Sequence, residues 1–242
     1  MNKQQQLRRI RFYKDLKITR QIRDIIHGYI MSDGYVTNTG NLTVDQTIKQ
    51  AKFVEWLFQK FETIRTDSPI RNVRRVDKRN NTVTFSARFN TRNLLHGFHS
   101  MWYKPSLSFY EEEQNKMAGL PSDSATPANL QPITYKKSLP KSIHCFFSPA
   151  FITIWFAGDG TKIIGSKGAK FEVTNFSPQD RQTLKILFKQ KYNISACINR
   201  AGFSKTGAQQ WTISINAGDY DKFKRLITQI DLIPTLFPHK LH

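Results

Sequence analysis

Cysteine is nearly absent from this chain. Cys145 and Cys197 are the only two, with no Cys-x-x-Cys and no histidine at metal-ligand spacing. That usage argues against a disulfide scaffold or a zinc ribbon, and predicts two buried free thiols in a reducing compartment. Long apolar runs are missing as well. The longest, Cys145 to Gly158, is broken by Ser148, Pro149 and Thr153, and falls short of the ~20 residues that a bilayer span requires. The N-terminus is rich in Gln, Lys and Arg without an apolar segment, so no secretory signal is expected. Acids are the scarcer charge: 18 Asp and Glu stand against 37 Lys and Arg, a formal net charge of +19. Such an excess implies a polyanionic partner, nucleic acid first. An anionic membrane surface is the rival, but no basic amphipathic stretch with a wide apolar face supports it.

What is present is a globular composition, 39% apolar and 12% aromatic over 242 residues, enough for one large domain or two smaller ones. Two stretches share one shape: Ile26-His27-Gly28-Tyr29-Ile30-Met31-Ser32-Asp33-Gly34 and Ile152-Thr153-Ile154-Trp155-Phe156-Ala157-Gly158-Asp159-Gly160. Each is an apolar helical run, interrupted by small residues, that ends in one acid followed by glycine. In isolation an Asp-Gly at a helix end is a cap and turn. Two copies in a chain this basic point to a metal-dependent nuclease instead.

Residues 1–18 form a basic arm, with Lys3, Arg8, Arg9, Arg11, Lys14 and Lys17 against Asp15. It reads as a solvated tail or as a backbone-contacting segment. A first unit spans 19–103: a helix over Thr19–Ser32 ended by Gly34 as a C-terminal glycine, a hairpin turning at Asn38–Asn41, and a helix with Val54, Leu57 and Phe61 on one face. Strands over 70–76 and 82–89 and a helix over 91–103 complete it. In the second strand Val83, Phe85, Ala87 and Phe89 are expected to form the buried face and Thr84, Ser86, Arg88 and Asn90 the polar one. Residues 104–140 read as a linker, with a solvated acidic helix at Glu111-Glu112-Glu113. A second unit, 141–242, repeats the order: a helix opened by Ser148-Pro149, a strand at 170–175, a helix from Ser177-Pro178, strands at 194–200 and 209–217, and a last helix over 219–230. In the alignment of the repeats, Leu42–Gln46 is set against Phe171–Asn175. The fold class is thus mixed α/β, two pseudo-symmetric αββαββα repeats with antiparallel sheets.

If the two apolar helices pack together on the pseudo-two-fold axis, Asp33 and Asp159 emerge side by side. Gly28, Ser32, Ala157 and Gly158 would then permit close backbone approach. Paired carboxylates make an oxygen-only site that suits Mg²⁺, and phosphodiester cleavage with two or more such ions uses that arrangement.

At this point the chain resembles the LAGLIDADG homing endonuclease family. Tyr29–Gly34 and Trp155–Gly160 match the C-terminal half of its signature, and Trp155-Phe156-Ala157-Gly158-Asp159-Gly160-Thr161-Lys162 is similar to the form found in monomeric two-repeat members. Lys137-Ser138-Leu139-Pro140 resembles their Lys-x-Ile-Pro segment, and Ile233-Pro234 followed by Lys240-Leu241 resembles their C-terminal ending. The resemblance implies a monomer cutting both strands of a long DNA target and leaving short 3′ overhangs. It implies Asp33 and Asp159 as metal ligands, with the backbone carbonyls of Ser32 and Gly158. It places Lys137 and Lys240 near the scissile phosphates, as activators or plain phosphate contacts, and Gln46 and Asn175 as solvent-positioning polar residues at strand ends. His27 and Thr153 replace a usual small residue, which could re-angle the helix pair; His27 is expected to be a packed histidine rather than a base.

The DNA-reading set follows from the polar strands. Arg reads guanine and Asn or Gln reads adenine in a major groove. The first unit supplies Arg71, Arg74, Arg75, Lys78, Arg79, Arg88 and Arg92; the second supplies Asn199, Arg200, Lys205, Gln209 and Gln210. An ordinary solvated sheet face is the plain alternative. The functional alternatives are an RNA maturase on the same fold, with intron RNA as partner, and a non-catalytic DNA-binding module. An organellar, intron-encoded origin follows only from the resemblance.

Overall fold

A computed structural model describes residues 18–76, 81–105 and 134–241. All but the last residue of the basic arm, Lys78, Arg79, and the acidic linker segment lie outside them.

Helix α1 (Arg20–Met31) starts where Thr19 accepts the Ile22 N–H on its side chain, a cap that satisfies an otherwise orphaned donor. A hairpin follows, β1 (Tyr35–Val36) and β2 (Leu42–Thr47), turning through Gly40 at φ +80°, where glycine carries no steric cost. A short 3₁₀ turn leads into α2 (Ala51–Lys60), and then come β3 (Arg71–Val76) and β4 (Val83–Asn90). Helix α3 (His96–Trp102) is shorter than the sequence implied and runs directly into strand β5 (Tyr103–Pro105), which pairs with β6 (Tyr135–Lys137). The described ends of the linker are therefore a paired ladder.

The second repeat begins with α4 (Ile143–Phe146) and α5 (Pro149–Asp159), whose Ser148 cap and first-position proline match the sequence reading. Strands β7 (Gly160–Lys162) and β8 (Ala169–Glu172) follow, then α6 (Pro178–Tyr192), opened by a reciprocal capping box between Ser177 and Asp180. Strands β9 (Ala196–Phe203) and β10 (Gln209–Ile215) and helices α7 (Ala217–Ile227) and α8 (Ile233–Leu236) complete the chain. The two four-stranded antiparallel sheets have the same order, β1-β2-β4-β3 and β7-β8-β10-β9. Equal topology, repeated in sequence order, is the two-repeat architecture that the motif spacing implied.

The helix pair at the centre packs as tightly as its small residues allow. A Cβ on Gly28 would lie 2.5 Å from the Phe151 backbone oxygen, and one on Gly158 would lie 2.6 Å from Ser32 Cβ. Gly28 would also meet Ile154 Cβ at 3.0 Å, so the positions five before and one before each acid meet their counterparts, as a two-fold axis demands. His27 and Thr153 face away from this contact. His27 is buried, accepts the Trp102 indole N–H at 2.8 Å and stacks on Phe146; burial holds its pKa down to about 3, as a packed, neutral ring. The Thr153 hydroxyl donates to the Ile227 carbonyl.

Four sequence expectations are corrected. Cys145 and Cys197 are free, but both are exposed: Cys145 lies on a four-residue surface helix and Cys197 points outward from strand β9. Gly34 does not end α1 in a left-handed turn. It lies against the preceding turn, donating to the Tyr29 carbonyl at 2.7 Å where a Cβ would clash. The alternation of β4 holds only at its inner end: Ala87 and Phe89 are buried, whereas Val83 and Phe85 are 42% and 49% exposed, since the hairpin tip projects past the helices that cover its root. Last, the alignment of the repeats slips by two residues. Pairing sets Thr43 against Tyr35 and Lys170 against Thr161, each two residues after its acid, so Leu42–Gln46 answers Ala169–Val173.

Candidate active site and nucleic-acid interface

Helices α1 and α5 run parallel and deliver Asp33 and Asp159 to the same place. Asp33 Oδ2 lies 3.0 Å from where a Gly158 Cβ would stand. Asp33 is exposed and accepts the Gln46 amide N–H at 2.9 Å. Gln46 also reaches the Tyr29 phenol, which accepts the Asp45 backbone N–H as well. Strand β2 and helix α1 are thereby tied together beneath the acid. Asp159 is half-buried; its pKa is pushed up to about 7, first by burial and then by the Asp33 charge. Two carboxylates held this close repel, and the C-terminal ends of two helices add about half a negative charge each. In a strongly basic chain this is a local electronegative centre.

Two lysines answer it. Lys137, placed by the β5–β6 ladder, donates to the carbonyls of Ile30 at 2.6 Å and Ser32 at 2.8 Å. Lys240 is buried on the 3₁₀ turn after α8 and donates to Phe156, Ala157 and Gly160 at 3.0, 2.7 and 2.7 Å. Each ammonium caps the last turn of one acid-bearing helix. Burial lowers both lysine pKa values, Lys240 to about 8, while Asp159 and Asp33 oppose the shift. The family resemblance put these lysines near the scissile phosphates; in the structure their donors are occupied by backbone carbonyls. The Ser32 carbonyl, a candidate metal ligand, accepts from Lys137 here.

The groups that could hold a metal here are all oxygen: the two carboxylates and the carbonyl of Gly158. Among the described residues no group of three His, Cys, Asp or Glu side chains converges. Such a set suits a hard divalent ion that keeps waters and shares phosphate oxygens, rather than one needing a full protein cage.

The two half-sites are not identical. By strand pairing the counterpart of Gln46 is Val173, which is buried and apolar. Asn175 is exposed in the turn beyond β8, so the structure does not align it with Gln46.

The sheet registers sort the reading candidates by face. Arg71 and Arg75 pair with Arg88 and Thr84 on the polar face, whereas Arg74 pairs with Phe85 on the other. Arg92 lies past β4 and bonds Asp67 at 3.0 Å. In the second sheet Asn199 pairs with Thr212 and bonds Ser214, on the polar face. Arg200 pairs with Trp211 and holds its guanidinium 5.8 Å from that ring, on the same face as buried Ile213. Lys205 is exposed at the hairpin tip, and Gln210 alternates onto the polar face beside Thr212. Gln209 turns its amide back to the Gly202 and Gln210 carbonyls. Strand period two thus sends Arg74 and Arg200 to the face opposite the polar one. Sequence reasoning missed Asp45, which pairs with Arg75 and which alternation from buried Val44 could have found.

Comparison with known proteins agrees with this architecture. Residues 129–223 match the model of the LAGLIDADG DNA endonuclease family. The structure described as the homing endonuclease I-WcaI bound to its DNA recognition sequence superposes with a TM-score of 0.68 at 17% identity, covering 95% of this chain and 92% of that one. Cytochrome b mRNA maturase bI2 of Saccharomyces cerevisiae is 37% identical over 70 residues, 29% of this chain. The protein of the same name from Debaryomyces hansenii is 36% identical over 70 residues. The aligned parts span 16% and 26% of those relatives' lengths. No described helix is long and apolar enough to cross a membrane. The family model thus falls on the second repeat, the first repeat has the same sheet order and acid-ended helix, and the chain as a whole has the fold of a two-repeat LAGLIDADG protein.

Proposed function

We propose that this protein is a site-specific homing endonuclease that acts as a monomer and makes Mg²⁺-dependent double-strand cuts in a long DNA target, leaving short 3′ overhangs. The observation that carries this reading is the meeting of Asp33 and Asp159 at the ends of two closely packed helices, each continuing into one of two like sheets. Their carboxylates and the Gly158 carbonyl form the donor set for divalent ions. When bound, such ions supply Lewis-acid polarisation of the scissile phosphate. Gln46 orients Asp33 and the solvent beside it. Lys137 and Lys240 neutralise the helix ends, so that two carboxylates can stand together without ions. The polar strand residues Arg71, Arg75, Arg88, Asn199 and Gln210 contact the groove.

The test is cleavage of a randomised duplex pool with Mg²⁺, with Ca²⁺ and with EDTA, alongside Asp33→Asn and Asp159→Asn. Defined double-strand cuts with Mg²⁺ only, lost in either variant, are expected. Binding by all three proteins without any cut would overturn the assignment.

A second reading has its own support, since two relatives carry the name of a cytochrome b mRNA maturase. On that reading the chain binds intron RNA in an organelle and assists its splicing. Asp33→Asn and Asp159→Asn would then leave RNA binding and splicing unchanged.

A further inference from the structure

Asp45 lies on a sheet face where a DNA-binding surface gains nothing from an acid. Asp45 sits on the polar face of β2, its side chain 16% exposed, in a chain of net charge +19. A carboxylate there repels phosphate and by itself weakens binding. Its contacts supply the reason for it. Asp45 Oδ2 is ion-paired with Arg75 Nη2 from β3 and lies 4.0 Å from Arg88 Nε on β4. Arg75 Nε donates to Ser86 Oγ at 3.4 Å. One carboxylate therefore links three strands, binding the Arg75 guanidinium and drawing that of Arg88 to within 4.0 Å, while the two stay 55% and 38% exposed. A free arginine side chain has many rotamers and binds any phosphate it meets. One tethered by its own fork is aimed, and its remaining N–H groups project from a defined point of the sheet.

We infer that Asp45 is a specificity-determining positioning residue, which holds Arg75 and Arg88 in the geometry that reads guanine edges in one half-site. The inference rests on the DNA-reading proposal above and adds which residue sets the discrimination. The second sheet has no such device: at the positions answering Asp45 and Arg88 stand Glu172, which accepts the Thr174 N–H, and Thr212. Clamped recognition therefore belongs to the first half-site alone.

The experiment is selection from a randomised duplex pool, in EDTA so that no strand is cut, for wild type, Asp45→Ala, Asp45→Asn and Arg75→Ala. Titration of each protein on one scrambled duplex at fixed salt accompanies it. Wild type is expected to prefer guanine at one or two positions of one half-site. Asp45→Ala should lower that preference by roughly tenfold or more, as for a lost bidentate contact, at positions that include those lost in Arg75→Ala. Scrambled-duplex affinity should hold or tighten, because a repulsive charge has gone and the arginines are free to bind phosphate. Asp45→Asn keeps the size and loses the ion pair, so it should follow Asp45→Ala, and thermal melting of each variant shows that the fold is intact. An unchanged preference profile in both Asp45 variants would sink the inference. So would a uniform loss at every position together with weaker scrambled binding. If wild type itself selects no sequence, the DNA-reading proposal falls, and this inference with it.

Discussion

At the residue scale, Asp159 and Lys240 carry the sharpest expectations. The folded pKa of Asp159, about 7, lies above its ordinary 3.8. Between those values the folded state holds a proton that the unfolded state has released, so this acid makes stability fall as pH rises through the window. Without divalent ions, Asp159→Asn should melt higher than wild type at pH 8, with the gap closing towards pH 4. Adding Mg²⁺ should raise the melting temperature of wild type more than that of the variant, since the ion binds only the intact carboxylate pair. Differential scanning at several pH values reads both. Lys240 differs: its ammonium fills three donor positions on helix carbonyls. Lys240→Met leaves those acceptors dry, which should cost about 2–5 kcal/mol by chemical denaturation. Lys137→Met should cost less, with two carbonyls lost and a more exposed position.

At the scale of elements, the α1–α5 contact decides whether the acids meet. Gly28→Ala drives a Cβ to within 2.5 Å of the Phe151 oxygen, so the helices must part. The overpacking should cost about 1–3 kcal/mol. A displacement of about 1 Å at the acids can cost about 10²-fold in turnover. Cleavage of the selected target should therefore fall far more than binding, measured as single-turnover rate against Kd. Equal losses in both would mean that the contact serves stability alone. Most helices and the repeated element order were legible from pattern: Ser148 and Ser177, each followed by proline, begin helices as their side chains dictate. Strand register was not. A slip of two residues preserves in-and-out alternation, so Phe171–Asn175 looked as good a partner for Leu42–Gln46 as Ala169–Val173.

At the scale of the whole molecule, net charge governs affinity. A chain of +19 that neutralises six to ten phosphates should lose about 10³–10⁵ in affinity between 50 and 200 mM salt. Filter binding across that range should show it for scrambled and selected duplexes alike. The ratio between the two duplexes should vary much less, because base contacts release few counterions. A flat salt response would argue against a phosphate-tracking surface of any kind, DNA or RNA.

The sequence by itself determined the doubled plan and which two acids end the paired helices. Apolar helices ending in Asp33-Gly34 and Asp159-Gly160, small residues at Gly28, Ser32 and Gly158, and a large basic excess are local properties, and each keeps its meaning in any packing. Tertiary structure alone decided which groups those acids meet. Lys137 and Lys240 come from far along the chain to helix ends whose free carbonyls exist only once the helices form. Gln46 reaches Asp33 while Val173 takes the matching place in the other repeat, because hydrogen-bond register across strands, and not residue order, assigns neighbours. Arg75 shares the polar face with Asp45 and pairs with it, and Arg74 next to it lies on the other face, since a strand sends successive side chains to opposite faces.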